Sequence, residues 1–212
     1  MTAAADLTCD VAVIGAGTAG LAAERAARAQ GARTLLIDPD FNGTLCATAG
    51  CMPSKLLIAA AHAAHSARQA PVFGVATGPV RIDGPQVMAR VRRERDRFAR
   101  LTREGIDDLP QGVAIRGRAR FVGPQSLVLD DGRRIAARAI VIATGSVPVI
   151  PPPFRDLGNR VITTDALFDL HDLPRSLAVI GGGPIGLEMA QAMGRLGVEV
   201  TLFDHDTVLG KA

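Results

Sequence analysis

Short, unbroken apolar runs set the rhythm of this chain. Asp10-Val11-Ala12-Val13-Ile14, Thr34-Leu35-Leu36-Ile37, Ala139-Ile140-Val141-Ile142-Ala143 and Leu177-Ala178-Val179-Ile180 lack the alternation of a half-exposed strand. Runs of that kind mark parallel strands buried on both faces. A helical stretch over residues 21–30, stopped by Gly31, separates the first two, and a further helix and a strand over residues 198–203 follow the last. The pattern therefore predicts strand–helix–strand units, one near each end of the chain. Between them the period changes. Residues 55–69 and 85–109 read as long helices, the second carrying Val87, Val91, Phe98, Leu101 and Ile106 among charges. Residues 113–122, 127–129 and 134–136 read as short strands, with Asp131-Gly132 marking a hairpin. These form a small β-meander ahead of the run at 139–143.

The residues just after the first and fourth runs give those strands a use. Ile14 leads straight into Gly15-Ala16-Gly17-Thr18-Ala19-Gly20, and the next strand ends on Asp38. Gly15 permits a tight turn, Gly17 lets the backbone approach a pyrophosphate, and Gly20 allows close helix–strand packing. The helix N-terminus then faces the phosphates. Asp38, 23 residues after Gly15, stands where a carboxylate can accept from a ribose 2′-OH. Glycine-rich turns alone are a weak signal; strand, glycines, helix, strand and acid in register are a specific one. At a fixed offset of 166, Gly15, Gly17, Gly20, Gly31 and Asp38 fall on Gly181, Gly183, Gly186, Gly197 and Asp204, and 11 of 28 aligned positions are identical. Two dinucleotide sites are expected, on two similar domains. His205 follows Asp204 with no Arg nearby for a 2′-phosphate, so the second site is expected to take NAD rather than NADP. The expected fold is α/β: a Rossmann-like first domain over residues 1–150 with inserted helices and meander, then a proline-rich boundary at 147–153. Residues 151–212 supply a linker and the truncated start of a second Rossmann-like domain.

Between the fingerprints stands Leu45-Cys46-Ala47-Thr48-Ala49-Gly50-Cys51-Met52-Pro53-Ser54-Lys55. Two cysteines lie five positions apart, the second at the start of a helix whose unpaired N–H groups favour a thiolate, with Lys55 one turn further in. Such a pair could close a strained, reducible disulfide of the kind catalysis uses. Three cysteines in a reducing compartment argue against structural bridges. Cys46-x4-Cys51-x10-His62-x2-His65 falls outside zinc spacing. The helix also carries the histidines about 16 Å from Cys51 at 1.5 Å per residue, so no metal is expected. Cys9 reads as a small apolar filler.

With Gly50-Cys51-Met52-Pro53-Ser54-Lys55 between two fingerprints, the sequence resembles the flavin-dependent pyridine nucleotide–disulfide oxidoreductases, most closely the dihydrolipoamide dehydrogenase branch. It departs from their pattern at Gly43-Thr44-Leu45, where Gly-Gly-Thr is usual, and at Thr48, where Asn is common. The resemblance implies FAD on the first domain. Its contacts would be Gly15, Gly17, Gly20, Asp38, Thr44, Lys55, the backbone at Ala119, and Thr144 and Gly145 of a second flavin motif. It implies NAD at Gly181, Gly183, Gly186 and Asp204. Lys55 is implied to lie by the flavin and to pair with Glu188, in the first turn of the second fingerprint's helix, since a buried charge needs a partner. A substrate dithiol would attack a Cys46–Cys51 disulfide at Cys46, and Cys51 would pass electrons to FAD and thence to NAD. The implied substrate is a small dithiol, a dihydrolipoyl group first. Mercuric or glutathione-type reduction, or a non-catalytic FAD-binding fragment, are the alternatives.

The remaining features bound this reading. Net charge is only +3, and acids interrupt the densest basic run, Arg90-Val91-Arg92-Arg93-Glu94-Arg95-Asp96-Arg97. Without Trp or Tyr for base stacking, that run reads as a solvated helix face, not a nucleic-acid site. No apolar run is long enough to span a membrane and no signal-peptide pattern opens the chain, so a cytoplasmic protein is expected. The resemblance covers the first half of a full-length member. The acid–base His–Glu pair and the dimerisation domain of the homodimeric relatives belong to the other half. The isolated chain is expected not to turn over dihydrolipoamide, and Val179, Ile180, Leu202 and Phe203 are expected to flank uncovered sheet edges.

Overall fold

The computed structural model describes residues 7–205 and residue 207. In chain order the elements are β1 (Leu7–Ile14), α1 (Thr18–Ala29), β2 (Thr34–Asp38), α2 (Leu45–Thr48), α3 (Cys51–Gln69) and α4 (Gly84–Asp107). Then come β3 (Ala114–Arg116), β4 (Ala119–Gly123), β5 (Ser126–Leu129), β6 (Arg134–Ile142), α5 (Thr164–Leu167), β7 (Ser176–Ile180), α6 (Pro184–Arg195) and β8 (Glu199–Phe203). They form two compact units. One comprises the chain up to residue 48 with Phe98–Val149; the other comprises Ala49–Arg97 with the chain from Ile150 onward. Segment 49–97 groups with the chain from Ile150 onward. The reason lies in α3, whose Leu57, Ala61 and Ala64 join one core with Met189, Ala192 and Met193 of α6.

The first unit is a six-stranded sheet in the order β3-β2-β1-β6-β5-β4. β3, β2, β1 and β6 run parallel, while β5 and β4 are antiparallel. Two expectations change here. The run 113–122 is two strands, because Gly117 at φ 152° turns the chain: Ala114–Arg116 joins the parallel sheet and Ala119–Gly123 pairs with β5. The strands expected at 134–136 and 139–143 are one, β6, which pairs with β5 at its start and with β1 along its length. Its last part is less buried than its composition suggests, Ile142 being 66% exposed. One face of the sheet buries Val13, Ala16, Leu36 and Val113 with Leu21 and Ala23 of α1; the opposite face buries Cys9, Ala12, Leu35, Ile37, Leu127 and Ile135.

In the second unit α6 packs with a parallel pair, β7 and β8, held from Ser176↔Glu199 to Ile180↔Phe203. Residues 154–174, expected only as a connector, contain α5 and most of a 3₁₀ stretch at Pro152–Arg160. Leu167 of α5 is buried together with the following Phe168. Arg95 binds Asp169 at 2.5 Å and Arg92 donates to the Leu170 carbonyl, tying this segment to α4. Asp83 caps α4 by accepting the Gln86 N–H at 2.9 Å. The buried line on α4 is Met88, Val91, Ala99 and Ile106. Leu101, expected on it, is 48% exposed, because 13 residues at 100° each place it about 140° round the helix from Met88. Ile180 and Phe203 are exposed as the pattern anticipated, while Val179 and Leu202 are half-buried because their side of the pair faces α6.

Candidate functional site

The three glycines of the first fingerprint have separable causes. Gly15 sits at φ 103°, and a Cβ there would overlap the carbonyl oxygen of Ala143. A Cβ on Gly20 would overlap the Gly15 carbonyl oxygen, which is how α1 comes so close to β1. The fold therefore demands both. Gly17 is different: φ is −74°, and a Cβ would meet nothing within 4 Å. The protein leaves that space open in front of the α1 N-terminus, where no side chain caps the helix and no acid occupies the first turn. Free N–H groups and a positive dipole end beside an open glycine fit a pyrophosphate.

Asp38 ends β2 at the same edge. Its Oδ2 accepts the Ala16 N–H at 2.9 Å, and its Oδ1 accepts those of Asp40 and Phe41 at 3.0 and 2.8 Å. Partial burial acts to raise its pKa, but the three N–H donors and Arg116 outweigh burial and leave the carboxyl below its ordinary value. Arg116 also stacks on Phe41, 5.9 Å from the ring centroid, and holds the Pro39 and Asp40 carbonyls. The sequence reading does not single out Phe41 or Arg116; the Asp-Pro-Asp spelling of an Asx-type turn is the available signal. Thr144, two residues beyond β6, has its Cα beside Gly15, and the Gly117 N–H donates to the Asp38 carbonyl at 3.1 Å, two residues before β4 begins at Ala119. Gly145 takes φ 75°. Thr44 is buried and caps α2, its Oγ1 accepting the Ala47 N–H at 3.2 Å. That short helix, which carries Cys46 half-buried, is likewise absent from the sequence pattern.

Cys51 opens α3 and is exposed, with Pro53 in the first turn, where a missing N–H costs little. Lys55 lies four residues on, on the same helix face. Its Nζ is 2.5 Å from Glu188 Oε1, and both side chains remain substantially open to solvent, 60% and 43%. The pairing is as expected, but Glu188 is the fifth residue of α6, one turn in, and not within the first turn. The second fingerprint repeats the first: Gly181 at φ 105°, a Gly186 Cβ overlapping the Gly181 carbonyl oxygen, and open space at Gly183. Asp204 accepts the Gly182 N–H, as Asp38 accepts that of Ala16. Cys9 is buried, and burial, reinforced by Asp10 and opposed by Arg33, pushes its thiol up to about 11. It is a packing residue. Among the described residues no cluster could hold a metal, and no helix is long and apolar enough to cross a membrane.

Residues 9–211 match the family model described as pyridine nucleotide-disulphide oxidoreductase. The chain belongs to that family. The sequence is 38% identical to the mercuric reductase of Shigella flexneri over 93% of its own length and 36% of the relative's. It is 31% identical to the dihydrolipoyl dehydrogenase of Bacillus subtilis (strain 168) over 92% of its length and 44% of that relative. Among solved structures, the Cu(II) complex of the HOCl-induced flavoprotein disulfide reductase RclA from Escherichia coli superimposes with a TM-score of 0.75. That match is 26% identical and covers 95% of this chain and 43% of the other. The chain thus spans less than half the length of these relatives, which carry more than one named activity.

Proposed function

We propose that this chain carries the FAD-binding and redox-thiol part of a dithiol–disulfide oxidoreductase. The observation that carries the reading is Gly17, a glycine the fold itself does not require, set at an uncapped helix N-terminus. Gly15, Gly17, Gly20, Asp38, Thr44, Lys55, Ala119, Thr144 and Gly145 would hold FAD. Gly181, Gly183, Gly186 and Asp204 would hold a pyridine nucleotide, NAD for want of an Arg beside Asp204. Bound FAD would supply a two-electron acceptor for thiols and a hydride donor to the nicotinamide.

The chain's own chemistry is thiol exchange. A substrate thiolate attacks Sγ of Cys46 in a Cys46–Cys51 disulfide; the S–S bond breaks, Cys51 leaves as thiolate and Cys46 is joined to substrate. The second substrate thiolate attacks the substrate sulfur of that bond, releasing oxidised substrate and the Cys46 thiolate. Two electrons then reside on the cysteine pair. Lys55, held by Glu188, presents a cation on the Cys51 face of α3 and can balance charge formed there. A dihydrolipoyl group is the first substrate, and the likeness to mercuric reductases supports Hg(II) as the second reading. A full-length homodimer would complete the site.

The test is an absorbance spectrum of the purified protein before and after anaerobic dihydrolipoamide. A flavin spectrum that develops a long-wavelength band, lost in Cys51→Ser, is expected. A colourless protein that takes up no added FAD would overturn the reading. The mercuric alternative predicts one Hg(II) retained per reduced chain and none in Cys46→Ser.

A further inference from the structure

Within the second unit, a cleft of about 180 Å³ opens between α3 and α6. The ion pair of Lys55 and Glu188 closes one end. Two helical turns along, His62 of α3 and Arg195 of α6 stand at the other, with Arg195 Nη1 3.5 Å from His62 Nε2. Ile58, Ala61 and Ala192 line it with hydrocarbon, and Gln191 sits at its rim. Its walls are pinned at the far end, where Arg68 on α3 donates to the Arg195 carbonyl at 2.5 Å.

The charges in this cleft do not balance locally. Lys55 has Glu188, but among the described residues no carboxylate lies within ion-pair distance of the Arg195 guanidinium. Its neighbour is an imidazole nitrogen, which can offer a lone pair or an N–H but no charge to offset it. A guanidinium fork without an acid is matched by a carboxylate, which takes two parallel N–H bonds. The imidazole and the Gln191 amide supply further donors. Beside that polar corner the hydrocarbon lining has no polar atom to satisfy, which suits an alkyl chain. At about 180 Å³ the cleft is small and suits a small organic acid rather than a drug-sized ligand.

We propose that this cleft binds a short-chain organic carboxylate, Arg195 and His62 taking its head group and Ile58, Ala61 and Ala192 its alkyl body. The head-group residues Arg195 and His62 are not among those assigned to FAD or the thiols, although the cleft shares the Lys55–Glu188 pair at its other end with the redox reading.

The test follows the His62 ring proton by NMR in the whole chain, titrated with sodium butanoate, sodium phosphate or sodium chloride at equal ionic strength. Butanoate is expected to give a saturating shift, phosphate at least fivefold weaker binding, and chloride no saturation. Arg195→Met should weaken butanoate at least tenfold. Gln191→Glu, an exposed change that sets an acid at the mouth, should weaken it likewise and decides the matter if Arg195→Met fails to fold. No saturation with butanoate, phosphate binding as tightly as butanoate, or wild-type affinity in Gln191→Glu would each overturn the proposal.

Discussion

Replacing Gly17 by Ala separates what the fold needs from what a ligand needs. Gly17 is the N-cap of α1 with φ −74° and ψ −174°, a conformation alanine adopts freely, and its Cβ would touch no protein atom within 4 Å. Alanine is a poorer N-cap than glycine by roughly 0.5–1 kcal/mol. The loss of freedom in the unfolded chain returns about 0.4–1 kcal/mol. The two nearly cancel, leaving a change within about 0.5 kcal/mol, or less than about 2 °C in Tm for a chain of this size. Dinucleotide affinity should behave otherwise. A methyl group in the space a pyrophosphate must enter acts as overpacking, about 1.4–2.8 kcal/mol, which is roughly ten- to a hundredfold in Kd. Gly20→Ala is the control of opposite sense: its Cβ would overlap the Gly15 carbonyl oxygen, so α1 must move off β1 at a cost of roughly 3 kcal/mol. The assay pairs thermal melts of the apoprotein with FAD titration followed by flavin fluorescence. If Gly17→Ala melts as wild type and also binds FAD as wild type, the glycine serves no phosphate and the reasoning fails. If Gly17→Ala melts as low as Gly20→Ala, the local geometry has been misjudged.

Other residues give expectations of the same kind. Glu24 is 1% exposed and accepts from Arg28 Nε and Thr34 Oγ1, each at 2.8 Å. Glu24→Ala should cost about 2–4 kcal/mol and Glu24→Gln about half that, measured by urea unfolding, since Gln can still accept from Thr34. Asp38→Asn should lower stability at neutral pH. Because the folded carboxyl titrates below the unfolded value of about 3.9, the advantage of Asp38 is present above that pH and disappears as pH falls through the folded value. Denaturation curves in which the gap between wild type and Asp38→Asn widens towards acid would contradict this sign. Lys55→Met should change stability by no more than about 1 kcal/mol, because the ion pair with Glu188 is largely open to solvent; a larger loss in thermal melts would mean the pair is structural.

The periodicity made most of the architecture legible. Continuous apolar runs located β1, β2, β7 and the end of β6, and charge patterning located α4 to within two residues of its observed ends. What it missed depended on tertiary partners. Nothing local announces α2, four residues held by the Thr44 cap, nor the break at Gly117, which exists because β3 has a neighbour in β2 and β4 has one in β5. The burial of Met88 and Ala99 in place of Leu101 depends on which face of α4 is covered, a choice that several apolar positions on one helix leave open. At the site, Asp38, the glycines and the Lys55–Glu188 pair could be read from spacing and resemblance. The engagement of Asp38 by Ala16, Asp40 and Phe41 could not, since backbone donors carry no residue identity.

The repeat constrains the ligand more tightly than either fingerprint alone. In both, the first glycine has positive φ, the third is pressed on the carbonyl of the first, and the residue between first and second donates its N–H to the acid 22 positions on. Those shared features are internal demands of a tight strand–helix junction, and they would recur in any copy that folds. The middle glycine recurs too, although in neither copy does a Cβ meet a protein atom within 4 Å. A position free of steric demand from its own fold, yet glycine in both halves of a repeat only 11 in 28 identical, points outward to a ligand that fills the space. Gly183→Ala therefore has its own expected outcome: weakened NAD binding by calorimetry with Tm and FAD affinity unchanged. Equal loss of both ligands would refute the proposal of two independent sites.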